Sequence, residues 1–166
     1  NDLNAQFNLG IIYYEGRYVK KNLTKSIYYF SLAADQNETN AQFNLGQIYY
    51  EGKYVEQDIN KAIHYFSLAA NKNHSMAQYN LGLIYYNGKF IQRDIQKSIY
   101  YYSLAAKQNN LDAQNNLGII YLEGKYTIRD INKSIYYFTL AADQNHRNAQ
   151  NNLGFIYHEG KYVPRD

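Results

Sequence analysis

Ala5-Gln6-Phe7-Asn8-Leu9-Gly10 decides the fold, because it returns as Ala41 to Gly46, Ala77 to Gly82, Ala113 to Gly118 and Ala149 to Gly154, each time 36 residues on. A second string keeps the same period. Lys25-Ser26-Ile27-Tyr28-Tyr29-Phe30 comes back as Lys61 to Phe66, Lys97 to Tyr102 and Lys133 to Phe138. The chain therefore divides into units at about 5–40, 41–76, 77–112 and 113–148, with a partial unit at 149–166. Periods of this size belong to stacked supersecondary units, each unable to bury its own apolar face.

Each unit reads as two helices. In the first, Ala5, Leu9, Ile12 and Tyr13 follow the i, i+4, i+7, i+8 spacing of one apolar face. Gly16 ends it, as do Gly52, Gly88, Gly124 and Gly160, since glycine accepts the left-handed backbone past a helix C-terminus. After a short loop, Asn22, Asp58, Asp94 and Asp130 are placed to cap the second helix. That helix carries residues such as Ile63, Phe66 and Ala70 at helical spacing, and it stops at Asn37, Asn73, Asn109 and Asn145. Asparagine is the next best residue after glycine for a left-handed stop.

Gly10, Gly46, Gly82, Gly118 and Gly154 fall inside the first helices, where glycine costs about 1 kcal/mol relative to alanine. Close approach of a neighbouring helix is the expected compensation. The fold class that follows is all-α, a right-handed superhelical α-solenoid of helix-turn-helix repeats forming a single solenoid domain over 1–166.

Composition narrows the function. The 166 residues carry a net charge of +3, with basic residues spread along the chain rather than gathered into a nucleic-acid footprint. No stretch approaches the roughly 20 apolar residues of a membrane span, so direct membrane insertion is not expected. The absence of cysteine removes disulfides and thiolate chemistry. The chain opens on Asn1 rather than Met, as an excerpt or a processed form would.

At Ala77-x-x-x-Leu81-Gly82-x-x-Tyr85-x-x-Gly88, followed by Asp94-x-x-Lys97-Ser98-Ile99-x-Tyr101 and Ala105-Ala106, the chain resembles the Sel-one-like repeat, a relative of the tetratricopeptide repeats. The resemblance covers every unit, and Pro164-Arg165-Asp166 matches the family's loop ending. Two departures stand out. Tyr18, Tyr54, Phe90, Tyr126 and Tyr162 replace a frequent second loop glycine, and the asparagine stops replace glycine. The subclass with paired cysteines does not fit a cysteine-free chain. The resemblance implies a non-catalytic adaptor that scaffolds complexes, in signalling or in membrane-protein quality control.

The repeats supply their own comparison. Positions shared by the first helices read as scaffold, and those that vary read as candidates for recognition. The varying positions form a second i, i+4, i+7 stripe, expected opposite the core face. It runs through Phe7, Ile11 and Tyr14, then Phe43, Gln47 and Tyr50, then Tyr79, Leu83 and Tyr86. It continues as Asn115 and Ile119 in the fourth unit, then Asn151 and Phe155 in the fifth. By resemblance this stripe lines the concave groove, where aromatic anchors suit an extended peptide or an amphipathic helix. It reads equally as packing against the next unit's first helix. The expected partner is another protein, with self-association through open solenoid ends as the alternative.

Other chemistry is thinly supported. His64, His74, His146 and His158 lack companions at ligand spacing, so no metal is expected and capping or solvated roles fit them. No base and acid accompany the serines, and every glycine belongs to the repeat, which leaves neither a nucleophile nor a phosphate loop. Neither catalysis nor a cofactor is expected. Lys25, Lys61, Lys97 and Lys133 read as a solvated face. Asn22, Asn37, Asn73 and Asn132 open Asn-x-Ser/Thr triplets, a faint luminal signal set against a slightly favoured cytoplasmic location.

Overall fold

A computed structural model describes residues 2–159. Among the described residues there are nine helices and no strands. The first helices of the repeats are α1 (Leu3–Glu15), α3 (Thr39–Glu51), α5 (Ser75–Asn87), α7 (Leu111–Glu123) and α9 (Arg147–Glu159). The second helices are α2 (Leu23–Asp35), α4 (Ile59–Ala70), α6 (Ile95–Lys107) and α8 (Ile131–Ala142). Two compact units divide the chain, residues 1–78 and 79–166.

The ends of these helices follow the expected chemistry. Asn22 accepts a hydrogen bond from the Lys25 amide at 3.0 Å, and Asp58, Asp94 and Asp130 each accept one from the amide three residues on at 2.9 Å. The backbone N–H of Asp58 also donates to Tyr49 O at 3.0 Å, which ties the loop's end to the helix it left. Asn37, Asn73, Asn109 and Asn145 all take positive φ, between 60° and 69°. At the first of them the Glu38 amide donates to Ala33 O at 3.0 Å and the Asn37 amide to Ala34 O at 2.8 Å, so the last carbonyls of α2 are satisfied. Gly160, Tyr162 and Pro164-Arg165-Asp166 lie outside the described residues.

Each first helix is apolar on two sides. Ala41, Leu45 and Ile48 of α3 bury against Phe30, Ala33 and Ala34 of the preceding α2. In the second unit Ala113, Leu117 and Ile120 of α7 do the same against Tyr102, Ala105 and Ala106 of α6. Gln42 and Gln114 reinforce these joints, their buried amides donating to Ala34 O at 3.2 Å and Ala106 O at 3.1 Å. Those carbonyls sit in the last turn of a helix, where intrahelical donors run out.

The helical glycines face the other way. A Cβ added at Gly46 would stand 2.6 Å from Phe66 Cδ1, and one at Gly82 would stand 2.5 Å from Tyr102 Cδ1. The close neighbour is thus one aromatic ring of the paired second helix, seated in the notch the glycine leaves. A hydroxyl completes the contact, because Ser98 Oγ donates to Gly82 O at 2.9 Å and Ser134 Oγ to Gly118 O at 2.9 Å.

Candidate protein-binding surface

The stripe lies over the repeat's own aromatic ring rather than away from the core. Phe7 tilts against Phe30 with centroids 5.9 Å apart, Phe43 against Phe66 at 5.8 Å, and Tyr79 against Tyr102 at 5.8 Å. Phe7, Ile11 and Tyr14 pack partly buried on the Phe30 cluster, as Tyr79, Leu83 and Tyr86 do on the Tyr102 cluster. Gln47 and Tyr50 are half-buried on α3. Asn115 is buried, 6% exposed, and accepts from Asn152 Nδ2 at 3.0 Å, while Ile119 packs on the Phe138 cluster. On α9, Asn151 and Phe155 are exposed. The expectation of a stripe opposite the core is corrected, because a first helix flanked by both its own second helix and the preceding one has no single core face.

The lysine series is exposed yet organised. Lys61 Nζ lies 5.0 Å above the Tyr49 ring and 3.3 Å from Asp58 Oδ2. Tyr49 in turn stacks on Tyr65 at 5.9 Å, nearly parallel at 6°. The arrangement repeats at Lys97, Tyr85 and Tyr101 and at Lys133, Tyr121 and Tyr137. Such exposed pairs add little individually.

Two histidines serve as caps. His74 Nδ1 accepts from the Ala77 amide at 3.2 Å, and its ring stacks on Phe43 at 4.5 Å. His146 Nδ1 accepts from the Ala149 amide at 3.3 Å, with Nε2 3.2 Å from Asp112 Oδ1. Among the described residues no three His, Cys, Asp or Glu side chains gather to hold a metal. Burial holds the His74 pKa below the ordinary value of 6.5, with Glu38 opposing weakly. A folded-state pKa below the unfolded one means that the unfolded chain takes up the proton first. The His74 contribution is therefore full above pH 6.5 and is lost as pH falls through the lower folded value. Asn110 caps α7 at the equivalent position, so His74→Asn keeps an acceptor that does not titrate. Denaturation midpoints at pH 7.5 and 5.0 should show the native chain losing ground to the variant, by up to about 1 kcal/mol. Parallel curves would remove His74 from the account.

The surface that sequence reasoning passed over lies at the loops. In residues 1–78, Lys21 Nζ sits 5.0 Å from the Tyr14 ring and 4.3 Å from the Tyr54 ring. In residues 79–166, the Arg93 guanidinium lies 4.7 Å over Tyr126 and its Nη2 donates to Asn87 O at 3.2 Å. A cleft of about 470 Å³ opens there, lined by Tyr86, Arg93, Glu123, Lys125 and Tyr126. A hydrogen bond from Lys125, with the Arg93 charge beside it, lowers the Tyr126 pKa, whereas burial and then Glu123 raise that of Tyr86. The available signal was the aromatic residue that fills the family's loop-glycine position in every unit.

Helix pairs in strict register, joined by buried glutamines and glycine–aromatic notches, define an all-α repeat protein. The Sel1 repeat matches at residues 3–38, 39–74, 75–110, 111–146 and 147–166, and the chain belongs to the Sel1-repeat family. These boundaries fall two residues before the sequence period set at Ala5, at the first residues of the helices. The solved structure of c5321, described as a protective antigen of uropathogenic Escherichia coli with an SLR fold, is 34% identical with a TM-score of 0.93. The match covers 99% of this chain and 35% of that one, so the chain spans about a third of that protein. A Sel1 repeat protein from Oxalobacter formigenes is 32% identical over 100% of this chain and 68% of its own, with a TM-score of 0.87. Cysteine-rich protein B of Helicobacter pylori is 28% identical, covering 82% and 98% of the two chains, with a TM-score of 0.61. No curated protein matches. Sel1-repeat proteins are generally non-catalytic scaffolds that bind other proteins.

Proposed function

We propose that the chain is a non-enzymatic adaptor that holds a peptide or helix of a partner protein along the stripe of its first helices. The observation that carries this reading is the state of the stripe side chains. Phe43, Tyr50, Tyr79 and Tyr86 are seated by the core and yet only half-buried, so rigid aromatic faces are presented without being consumed by packing. Rings held in this way lose little conformational entropy on binding, which is why aromatics dominate interface hot spots. The same positions vary from unit to unit where the scaffold does not, as a surface reading one sequence would require.

The test uses residue types the stripe already tolerates. Tyr79→Asn and Leu83→Gln copy Asn115 and Gln47, and circular dichroism would establish that the double variant is folded. Partners captured by the native chain are identified, and their purified affinities are compared for both proteins. A loss of tenfold or more, about 1.4 kcal/mol, is expected. Equal affinities would mean that the stripe only packs.

A further inference from the structure

The loop cleft of the second unit carries a chemistry of its own, and a closed copy in the first unit shows what makes it distinct. Both recesses use the same parts. In residues 1–78 these are Tyr14, Glu51, Lys53 and Tyr54, with Lys21 reaching across both rings. The space left there is about 10 Å³. In residues 79–166 the parts are Tyr86, Glu123, Lys125 and Tyr126, and the bridging position is Arg93. Its guanidinium is drawn to the end of α5 by the Asn87 carbonyl at 3.2 Å and lies over the Tyr126 ring, 4.7 Å from its centroid. Tyr86 then faces open space, and the recess widens to about 470 Å³. A second recess of about 590 Å³ shares Arg93 and Tyr126 as walls and extends toward Gln92, Ile95 and Gln96.

The charges in this cleft select an anion. Arg93 and Lys125 oppose one carboxylate, Glu123. Asp94, the other nearby acid, is engaged by the Lys97 amide at 2.9 Å and the Lys97 ammonium at 3.5 Å. One positive charge is uncompensated, so a second cation would be repelled and a carboxylate would complete the set. The Asn87 carbonyl and the Tyr126 hydroxyl orient the Arg93 guanidinium over the Tyr126 ring, and its planar set of N–H donors suits a carboxylate. Two phenol rings bound the sides and suit the apolar stem that carries such a group.

We propose that this cleft seats an acidic side chain of the partner protein, its carboxylate between Arg93 and Lys125 and its stem between the Tyr86 and Tyr126 rings. The proposal rests on the reading of the chain as a protein-binding adaptor and supplies the partner's chemistry. The recess of the first unit, about 10 Å³, is too small for such a group, and the Lys21 ammonium lies 4.3 Å from its Tyr54 ring.

The probe is a blocked peptide of alternating Glu and Leu, titrated into the full chain beside a copy with Gln for every Glu. Ring resonances of Tyr126 report the cleft, and calorimetry gives the affinity. The Glu peptide should shift Tyr126 and bind at least tenfold tighter than the Gln peptide, and added salt should weaken it. Arg93→Gln copies Gln57, which stands at the same position of the preceding repeat, so it should fold and lose at least tenfold in affinity. Lys125→Gln should lose a comparable factor. Equal binding of the two peptides, an unshifted Tyr126, or native affinity in Arg93→Gln would each overturn the proposal. Those results would leave the stripe reading standing so long as the Tyr79→Asn, Leu83→Gln variant still loses its partner.

Discussion

Phe66→Ala should cost about 3–5 kcal/mol of folding stability, the largest loss expected from any single truncation in the first unit. The ring is 0% exposed. It fills the notch above Gly46, tilts against Phe43 at 5.8 Å and meets Tyr50 at 6.4 Å. Removing it costs the transfer free energy of the six ring carbons and leaves a cavity that its neighbours cannot close. Gly46 has no side chain to move inward, and the α3 backbone is fixed by its own hydrogen bonds. Urea denaturation should show a lower midpoint, with Tyr28→Ala, 59% exposed in the native chain, within about 0.5 kcal/mol of native. Repeat chains do not always unfold in one step, so the slope must be read with the midpoint. A loss below about 1 kcal/mol would mean that the ring is not the keystone of its repeat.

The same notch explains why an aromatic residue recurs at Phe30, Phe66, Tyr102 and Phe138 while the hydroxyl beside it is missing from one repeat. Ser26, Ser98 and Ser134 donate to the glycine carbonyl, but Ala62 stands at that place in the second repeat. Ring and glycine are matched by volume, and volume is the strict requirement of a close-packed interior. The hydrogen bond is worth only about 1 kcal/mol and can be dropped in one repeat without loss of the fold. Tyr102 differs in carrying its own hydroxyl, which accepts from Asn116 Nδ2 at 3.2 Å.

Much of this architecture was legible because one physical cause acts on every copy. Asparagine at 37, 73, 109 and 145 takes the left-handed backbone in all four, and aspartate at 58, 94 and 130 caps in all three. Where the chemistry is not repeated, the sequence is silent. The first helices begin two residues ahead of the sequence period, a start the repeat does not signal because their caps differ in kind, as Asp2, Glu38, His74, Asn110 and His146. The direction of the Phe7, Ile11 and Tyr14 stripe was misjudged for a different reason. Helical periodicity reports how many residues are apolar on each face, but not which neighbour covers them. A first helix in this stack packs against the preceding second helix through Ala41, Leu45 and Ile48 and against its own through Gly46 and Phe43. The loop cleft needed three dimensions, since Arg93 and Tyr126 meet only when consecutive loops come together.

Alanine at two equivalent glycines should act with opposite sign. Gly46→Ala brings a Cβ to 2.6 Å and 2.7 Å from the Phe66 ring, closer than carbon atoms approach without displacement. The ring is fully buried and cannot swing aside, so α3 and α4 must part, at a cost of about 1–3 kcal/mol. That exceeds the gain of about 1 kcal/mol that alanine brings to a helix interior. Gly154 occupies the same position on α9, where an added Cβ meets nothing within 4 Å. Only the helix term remains there, and Gly154→Ala should raise stability by up to about 1 kcal/mol. Thermal or urea midpoints of the two variants against the native chain decide the matter, and a fall in both would mean that the glycines serve something other than the notch. A double variant sharpens the test. Phe66→Ala removes the ring that the new methyl strikes, so Gly46→Ala in that background should cost nothing or stabilise. The coupling between two residues in contact should then reach about 1–3 kcal/mol, and simple additivity would separate the glycine from the ring it is argued to admit.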